Sequence, residues 1–155
     1  MANKKYLTKE EQLKAIGDNN KKYHKTFFGK LMLTYNNMDR RVRGMVKEHI
    51  YGGLDLLDRD VFYKWAKNNE DYKILFNKWV NSGYDRRLSP SIDRIDGNKG
   101  YILSNIRFLT HSENSRLGNM SRMLQGKYPS KLNKHQVIEI KKELLSSYRG
   151  IIKDL

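Results

Sequence analysis

The sequence predicts an α+β chain: a small core of a two-stranded antiparallel hairpin plus a helix, flanked by helices. Two observations lead there. Apolar residues recur at helical spacing on both sides of the middle of the chain. Between them, two short strand-like runs, Ser91–Asp93 and Ile106–Leu109, are separated by the turn-forming Asp96-Gly-Asn-Lys-Gly100. Three regions follow: a basic helical stretch over 1–83, the hairpin-and-helix core over 84–120, and a basic helical extension over 121–155.

Residues 1–12 are polar and suit a loose arm or a short helix. Thr8 followed three residues later by Glu11 can cap a helical turn. Residues 18–24, Asp-Asn-Asn-Lys-Lys-Tyr-His, read as a loop. Over 30–47 a helix is expected, because Leu31, Tyr35, Met38, Val42 and Met45 recur at steps of four and three. Asn36, Arg40, Arg43 and Lys47 occupy its other face. Tyr51-Gly-Gly53 breaks the chain, Asp60 can cap a helix through Phe62 and Trp65, and Asn68-Asn-Glu-Asp71 interrupts it. Tyr72, Leu75, Phe76 and Trp79 then recur at core spacing, and these aromatics read as packing residues more than as base-stacking platforms.

Asn81-Ser-Gly83 closes that part, and residues 84–90 form a link in which Pro90 favours an extended approach to the first strand. Thr110 or Ser112 can cap the helix after the second strand, with Gly118 and Asn119 at its expected end. Residues 120–133 read as irregular. Residues 134–146 read as a helix, with Val137, Ile140 and Leu144 on one side.

The chain has 155 residues, no Cys and a formal charge of +14. Without Cys there is no disulfide and no thiolate metal site, which suits a reducing compartment. The four His are widely spaced. No signal peptide is expected, since no apolar stretch follows the basic N-terminus, and no membrane span is expected either. The charge is uneven: 12 basic against 5 acidic residues in 1–50, 9 against 8 in 51–100, and 10 against 4 in 101–155. Two basic flanks around a near-neutral centre suit a grip on a phosphate backbone, with double-stranded DNA the expected partner. Monomer and dimer are both compatible with the sequence.

Hydrolysis of a phosphodiester requires an activated water, a stabilised leaving oxygen and a held phosphoryl group. Hard divalent cations take carboxylate and amide oxygens. Asp93 offers a carboxylate at a strand end and Asn114 an amide oxygen from a helix, so Mg²⁺ or Mn²⁺ is the expected cofactor. Each also has an ordinary structural reading, Asp93 as a turn carboxylate and Asn114 as a polar residue on an exposed helix face. Asn105 reads as a side chain that pins the loop between the strands, and Asp96 as a turn residue bonding toward Asn98 or Lys99. The Arg40, Arg41 and Arg43 cluster, Lys99, Arg107, Arg116, Arg122 and Lys127 are candidate DNA contacts as well as ordinary solvated charges.

Residues 88–119 resemble the ββα-metal core of the HNH (His-Me finger) endonuclease superfamily. The likeness is to its Cys-free phage and homing-type members, whose core reads roughly Asp-His-Ile-Asp-Gly-Asn-Lys, then Asn-Leu, Leu-Thr and Glu-His or Glu-Asn. The resemblance places Asp93 at the acidic metal ligand, Asn105 at the central loop-steadying Asn, and Asn114 at the second metal ligand. Leu109-Thr110 and Glu113 also match, and residues 29–43 resemble a helix that precedes this core in many phage members. It implies a metal-dependent DNA endonuclease, cytoplasmic and phage-encoded in a bacterial host, or a noncatalytic DNA-binding protein on the same scaffold.

Arg94 departs from the pattern, standing where the general-base His is expected. A guanidinium, with a pKa above about 12, is a very poor base. Three readings compete. His111, or less readily Tyr101, activates water; Arg94 clamps the phosphate while water attacks; or the protein only binds DNA. Residues 132–145 further resemble the first helix of a helix-turn-helix module, and 147–155 the start of the next, but no recognition helix is expected there.

Overall fold

The computed structural model describes residues 8–124 and Lys142. The chain separates into two units, one ending at His111 and one beginning at Ser112. In the first unit, helices α1 (Lys9–Tyr23), α2 (Phe27–Val42), the short α3 (Glu48–Tyr51), α4 (Arg59–Asn68) and α5 (Glu70–Asn81) precede the hairpin β1 (Pro90–Arg94) and β2 (Ile106–Thr110). Helix α6 (His111–Leu124) follows β2 directly in the chain. The hairpin followed by a helix, with helices before it, is the α+β arrangement expected.

Helix α1 opens with a full capping box: the Glu11 amide donates to Thr8 Oγ1 at 3.2 Å and the Thr8 amide to Glu11 Oε2 at 2.8 Å. The helix then runs through residues 18–23, which the sequence suggested were a loop. Acidic residues in its first turn, Lys21 and Lys22 in its last, and a Lys21–Asp18 pair at 3.2 Å favour the longer helix. It buries no residue.

Helix α2 ends earlier than the apolar periodicity suggested. Gly44 takes a φ of +74°, its amide donates to the Arg41 carbonyl, and the Met45 amide donates to the Arg40 carbonyl, both at 3.0 Å. This Schellman ending turns the chain away, so Met45 is exposed while Leu31, Tyr35 and Met38 are buried. The cap of α4 is Asp58 rather than Asp60: Asp58 Oδ1 accepts from the Asp60 and Val61 amides at 2.8 and 3.4 Å. Asn69 both ends α4 and caps α5, its Oδ1 accepting from the Tyr72 amide at 2.9 Å. The link over 84–90 contains a 3-10 turn, Arg86–Leu88, capped by Asp85.

The hairpin packs its Ile92, Ile106 and Phe108 face into a core shared with α2, α4 and α5. Phe108 stacks on Trp65 at 5.1 Å between ring centroids and meets Tyr72 at 4.8 Å. Phe62, Tyr72, Phe76 and Trp79 are all buried, which makes them packing residues. A third contact ties the loop of the hairpin to the helical part. The Tyr101 amide donates to the Asp55 carbonyl at 2.7 Å, and the Leu57 amide to the Tyr101 carbonyl at 2.8 Å. Gly100 makes this approach available, because a Cβ there would collide with the Asp55 backbone.

In the second unit, α6 continues past Gly118 and Asn119, where an end was expected, to Leu124. No atom lies within 4 Å of a Cβ at Gly118. Arg122 spans the position, donating to the Gly118 carbonyl at 3.3 Å and to Asn119 Oδ1 at 2.6 Å. The irregular stretch expected over 120–133 is therefore helical as far as 124. The helix expected over 134–146 and the helix-turn-helix likeness over 132–155 lie outside the described residues, Lys142 excepted. Among the described residues no helix is long and apolar enough to cross a membrane.

Two outcomes are expected from this packing. Gly100→Ala forces Asp55 and the hairpin loop apart and lowers unfolding stability by about 2–4 kcal/mol, measured by urea denaturation. Lys30 lies 5.2 Å from the Trp79 ring centroid, and burial lowers its pKa from 10.5 to about 8. Between those values the unfolded chain binds more protons than the folded one, so stability rises with pH across that window. Lys30→Met is expected to flatten this rise between pH 8 and 10 and to raise the thermal midpoint at pH 7, read by circular dichroism.

Candidate functional site on the hairpin

The hairpin register pairs Asp93 with Arg107 and Arg94 with Ile106. Successive strand residues project to opposite faces. Asp93 leaves on the outer face with Arg107, whereas Arg94 leaves on the face that carries Ile92 and, across the pair, Ile106 and Phe108. The two adjacent residues at the centre of the candidate site therefore have separate surroundings.

On the outer face, Arg107 Nε donates to Asp93 Oδ2 at 2.9 Å, with the Asp93 side chain 14 % exposed and that of Arg107 44 %. A cross-strand pair this open on the cationic side contributes no more than about 1 kcal/mol. Its larger effect is on charge, since the guanidinium offsets the carboxylate. The alternation of Ile106, Arg107 and Phe108 in the sequence puts Arg107 on the outer side of its strand but does not pair it with Asp93. That pairing depends on a register that only the loop length and the fold set.

Arg94 is half-buried. Its Nη1 donates to the Lys99 carbonyl at 2.9 Å, and its guanidinium carbon lies 4.5 Å from the Tyr51 ring centroid and 5.5 Å from that of Tyr101. The Tyr101 ring is 1 % exposed, and Arg41 Nη1 donates to its hydroxyl at 3.1 Å. Burial pushes the Tyr101 phenol up, against the lowering pull of Arg41. A phenol so raised stays protonated at neutral pH, so Tyr101 is not suited to activate water there. Tyr51 was not among the residues singled out from sequence; it stood beside two glycines in a chain break.

Behind the strands, Asn105 is 3 % exposed. Its Oδ1 accepts from the Asp96 amide at 2.8 Å, and its Nδ2 donates to the Asp96 and Gly100 carbonyls at 3.1 and 2.9 Å. The turn is finished by Asp96 Oδ1, which accepts from the Asn98 amide at 2.9 Å. His111 stands at the open end of the hairpin, where its amide donates to the Ser89 carbonyl at 2.8 Å. It lies four positions beyond Arg107, about 14 Å of extended backbone. The hairpin thus sets His111 and Arg94 at opposite ends.

The other candidate cations separate as well. Arg43 is held by Asp39 at 2.8 Å, Arg40 is exposed, and Arg41 turns inward to Tyr101. Lys99 is exposed, 3.8 Å from Asp96. In the second unit, Asn114 is half-buried and Arg116 and Arg122 are exposed on α6; Lys127 lies outside the described residues. Among the described residues no three His, Asp or Glu side chains gather as a metal cluster. No protein-family model, curated protein or solved structure matches the chain.

Asn105→Ala strips partners from three backbone groups and is expected to cost about 2–4 kcal/mol of stability by urea denaturation. Asn105→Asp sets a carboxylate against two carbonyl oxygens. Its folded-state pKa is then raised, so stability recovers as the pH is lowered from 7 toward 4 and the carboxyl group protonates.

Proposed function

We propose that the chain is a DNA-binding protein built on an HNH-like hairpin-and-helix scaffold. One observation carries this reading. At the two positions where the HNH pattern has a metal ligand and a general base, Asp93 is neutralised by Arg107 and Arg94 is a guanidinium resting on tyrosines. The Arg94 side of the hairpin is thus cationic and suited to holding phosphate rather than to taking a proton from water. The formal charge of +14 supports a polyanionic partner, and the lack of Cys suits a reducing cytoplasm.

A second reading, metal-dependent cleavage or nicking of DNA, is favoured by the order strand, strand, helix and by the placement of a carboxylate on the first strand. In that reading Asp93 and Asn114 would hold Mg²⁺ or Mn²⁺, whose chemistry would be to stabilise the leaving oxygen. Oxygen donors fit such an ion, but Asp93 would first have to give up Arg107. Arg94 would hold phosphate, and His111 would be the remaining candidate base.

Binding and cleavage separate in one set of assays. Labelled duplex DNA is expected to bind without added metal, with affinity falling steeply as salt rises. Asp93→Ala frees Arg107 and is expected to tighten binding by roughly two- to fivefold. Supercoiled plasmid should stay intact in Mg²⁺ or Mn²⁺. Nicking that disappears in Asp93→Ala would establish the hydrolytic reading in its place.

A further inference from the structure

Arg41 and Arg94 come from different parts of the chain, the last turn of α2 and the end of β1, yet both lie against the Tyr51 ring. The Tyr51 and Tyr101 rings are within 10° of parallel, with centroids 6.3 Å apart. The Arg94 guanidinium carbon is 4.5 Å from the Tyr51 centroid and that of Arg41 is 5.2 Å from the same centroid. Arg41 makes its hydrogen bond to the Tyr101 hydroxyl and Arg94 to the Lys99 carbonyl, so most of the N–H donors of both forks remain for another acceptor.

Three carboxylates close to them in sequence serve other cations. Asp39 holds Arg43, Asp93 holds Arg107, and Asp96 faces Lys99. Among the described residues neither Arg41 nor Arg94 is in an ion pair. Two half-buried guanidiniums within 5.2 Å of one ring centroid repel each other, while each is attracted to the ring face. A tetrahedral oxyanion between them would remove the repulsion and take charge-assisted hydrogen bonds from both.

We propose that Arg41 and Arg94, oriented by Tyr51 and Tyr101, form a single seat for one phosphate of the DNA backbone. This rests on the DNA-binding reading and adds to it a defined subsite and two positioning tyrosines. The α2 cluster then divides by role: Arg41 serves the seat, whereas Arg43 is held by Asp39.

The test uses the full chain and two probes. In the first, the Nε–H resonances of Arg41 and Arg94 are followed by NMR as inorganic phosphate is added, against sodium chloride at equal ionic strength. Both are expected to move with one shared dissociation constant, and Arg41→Lys should weaken the Arg94 response about tenfold. In the second, the affinity for duplex DNA is measured for wild type, Arg41→Lys, Arg94→Lys and the double variant. Each single change keeps the charge and should weaken binding about tenfold, while the double should be no more than about threefold weaker than either single. Tyr51→Leu should reproduce the loss and Tyr51→Phe should not.

Silent resonances, or two unrelated titrations, overturn the seat even if DNA binds, and the DNA reading then stands alone. Resonances that move in a protein that does not bind DNA uphold the seat for free phosphate and overturn the DNA reading. Multiplicative losses in the double variant overturn the single shared phosphate. If a variant fails to fold, the phosphate titration of the wild type still decides.

Discussion

The side-chain amide of Asn105 is the interaction on which the hairpin end depends. It is buried, and its carbonyl and amino groups close the loop from Asp96 to Gly100 with three hydrogen bonds to backbone. Closing that loop sets Gly100 against Asp55 and delivers Tyr101 into the core, where its backbone bonds to Asp55 and Leu57. Tyr101 in turn receives Arg41 and flanks Arg94. A buried amide with unmet partners would be costly, so each of these contacts supports the next.

The hairpin then sorts charge by face. The outer face joins Asp93 to Arg107 and is close to neutral locally. The inner face at the loop end gathers Arg94 and Arg41 over tyrosines, and among the described residues neither is in an ion pair. Adjacent residues of opposite charge are thereby assigned to different environments by strand alternation alone. Asp93 and Arg94 therefore lie on two surfaces and not one.

Local signals marked many of the elements. The Thr8–Glu11 capping box, the Asn68–Asp71 interruption, the core spacing of Tyr72 to Trp79 and the turn between the strands are all present. Sequence pattern and structure differ where one local signal outweighs a weaker neighbour. Apolar spacing carried the reading through Gly44, whose left-handed φ ends α2. Polar composition suggested a loop over 18–24, where caps and end charges sustain a helix that needs no core. Gly118 suggested an end that α6 passes through. Asp58 and Asp60 are both acceptable caps, and only backbone geometry chose between them.

The sequence by itself determined the strands of the hairpin and the helices with strong apolar spacing, the basic character, the turn chemistry of 96–100, the loop role of Asn105 and the outward direction of Arg107. These follow from spacing, side-chain hydrogen-bonding capacity and strand alternation, all of which are local. Only the tertiary structure decided which charges meet. Asp93 meets Arg107 because the register sets them opposite each other. Arg94 meets Tyr51 and Tyr101, and Arg41 meets the same two tyrosines, because Gly100 lets the loop reach the segment after α3. Those partners lie up to tens of residues apart, and no periodicity or motif within either segment specifies the other; packing does.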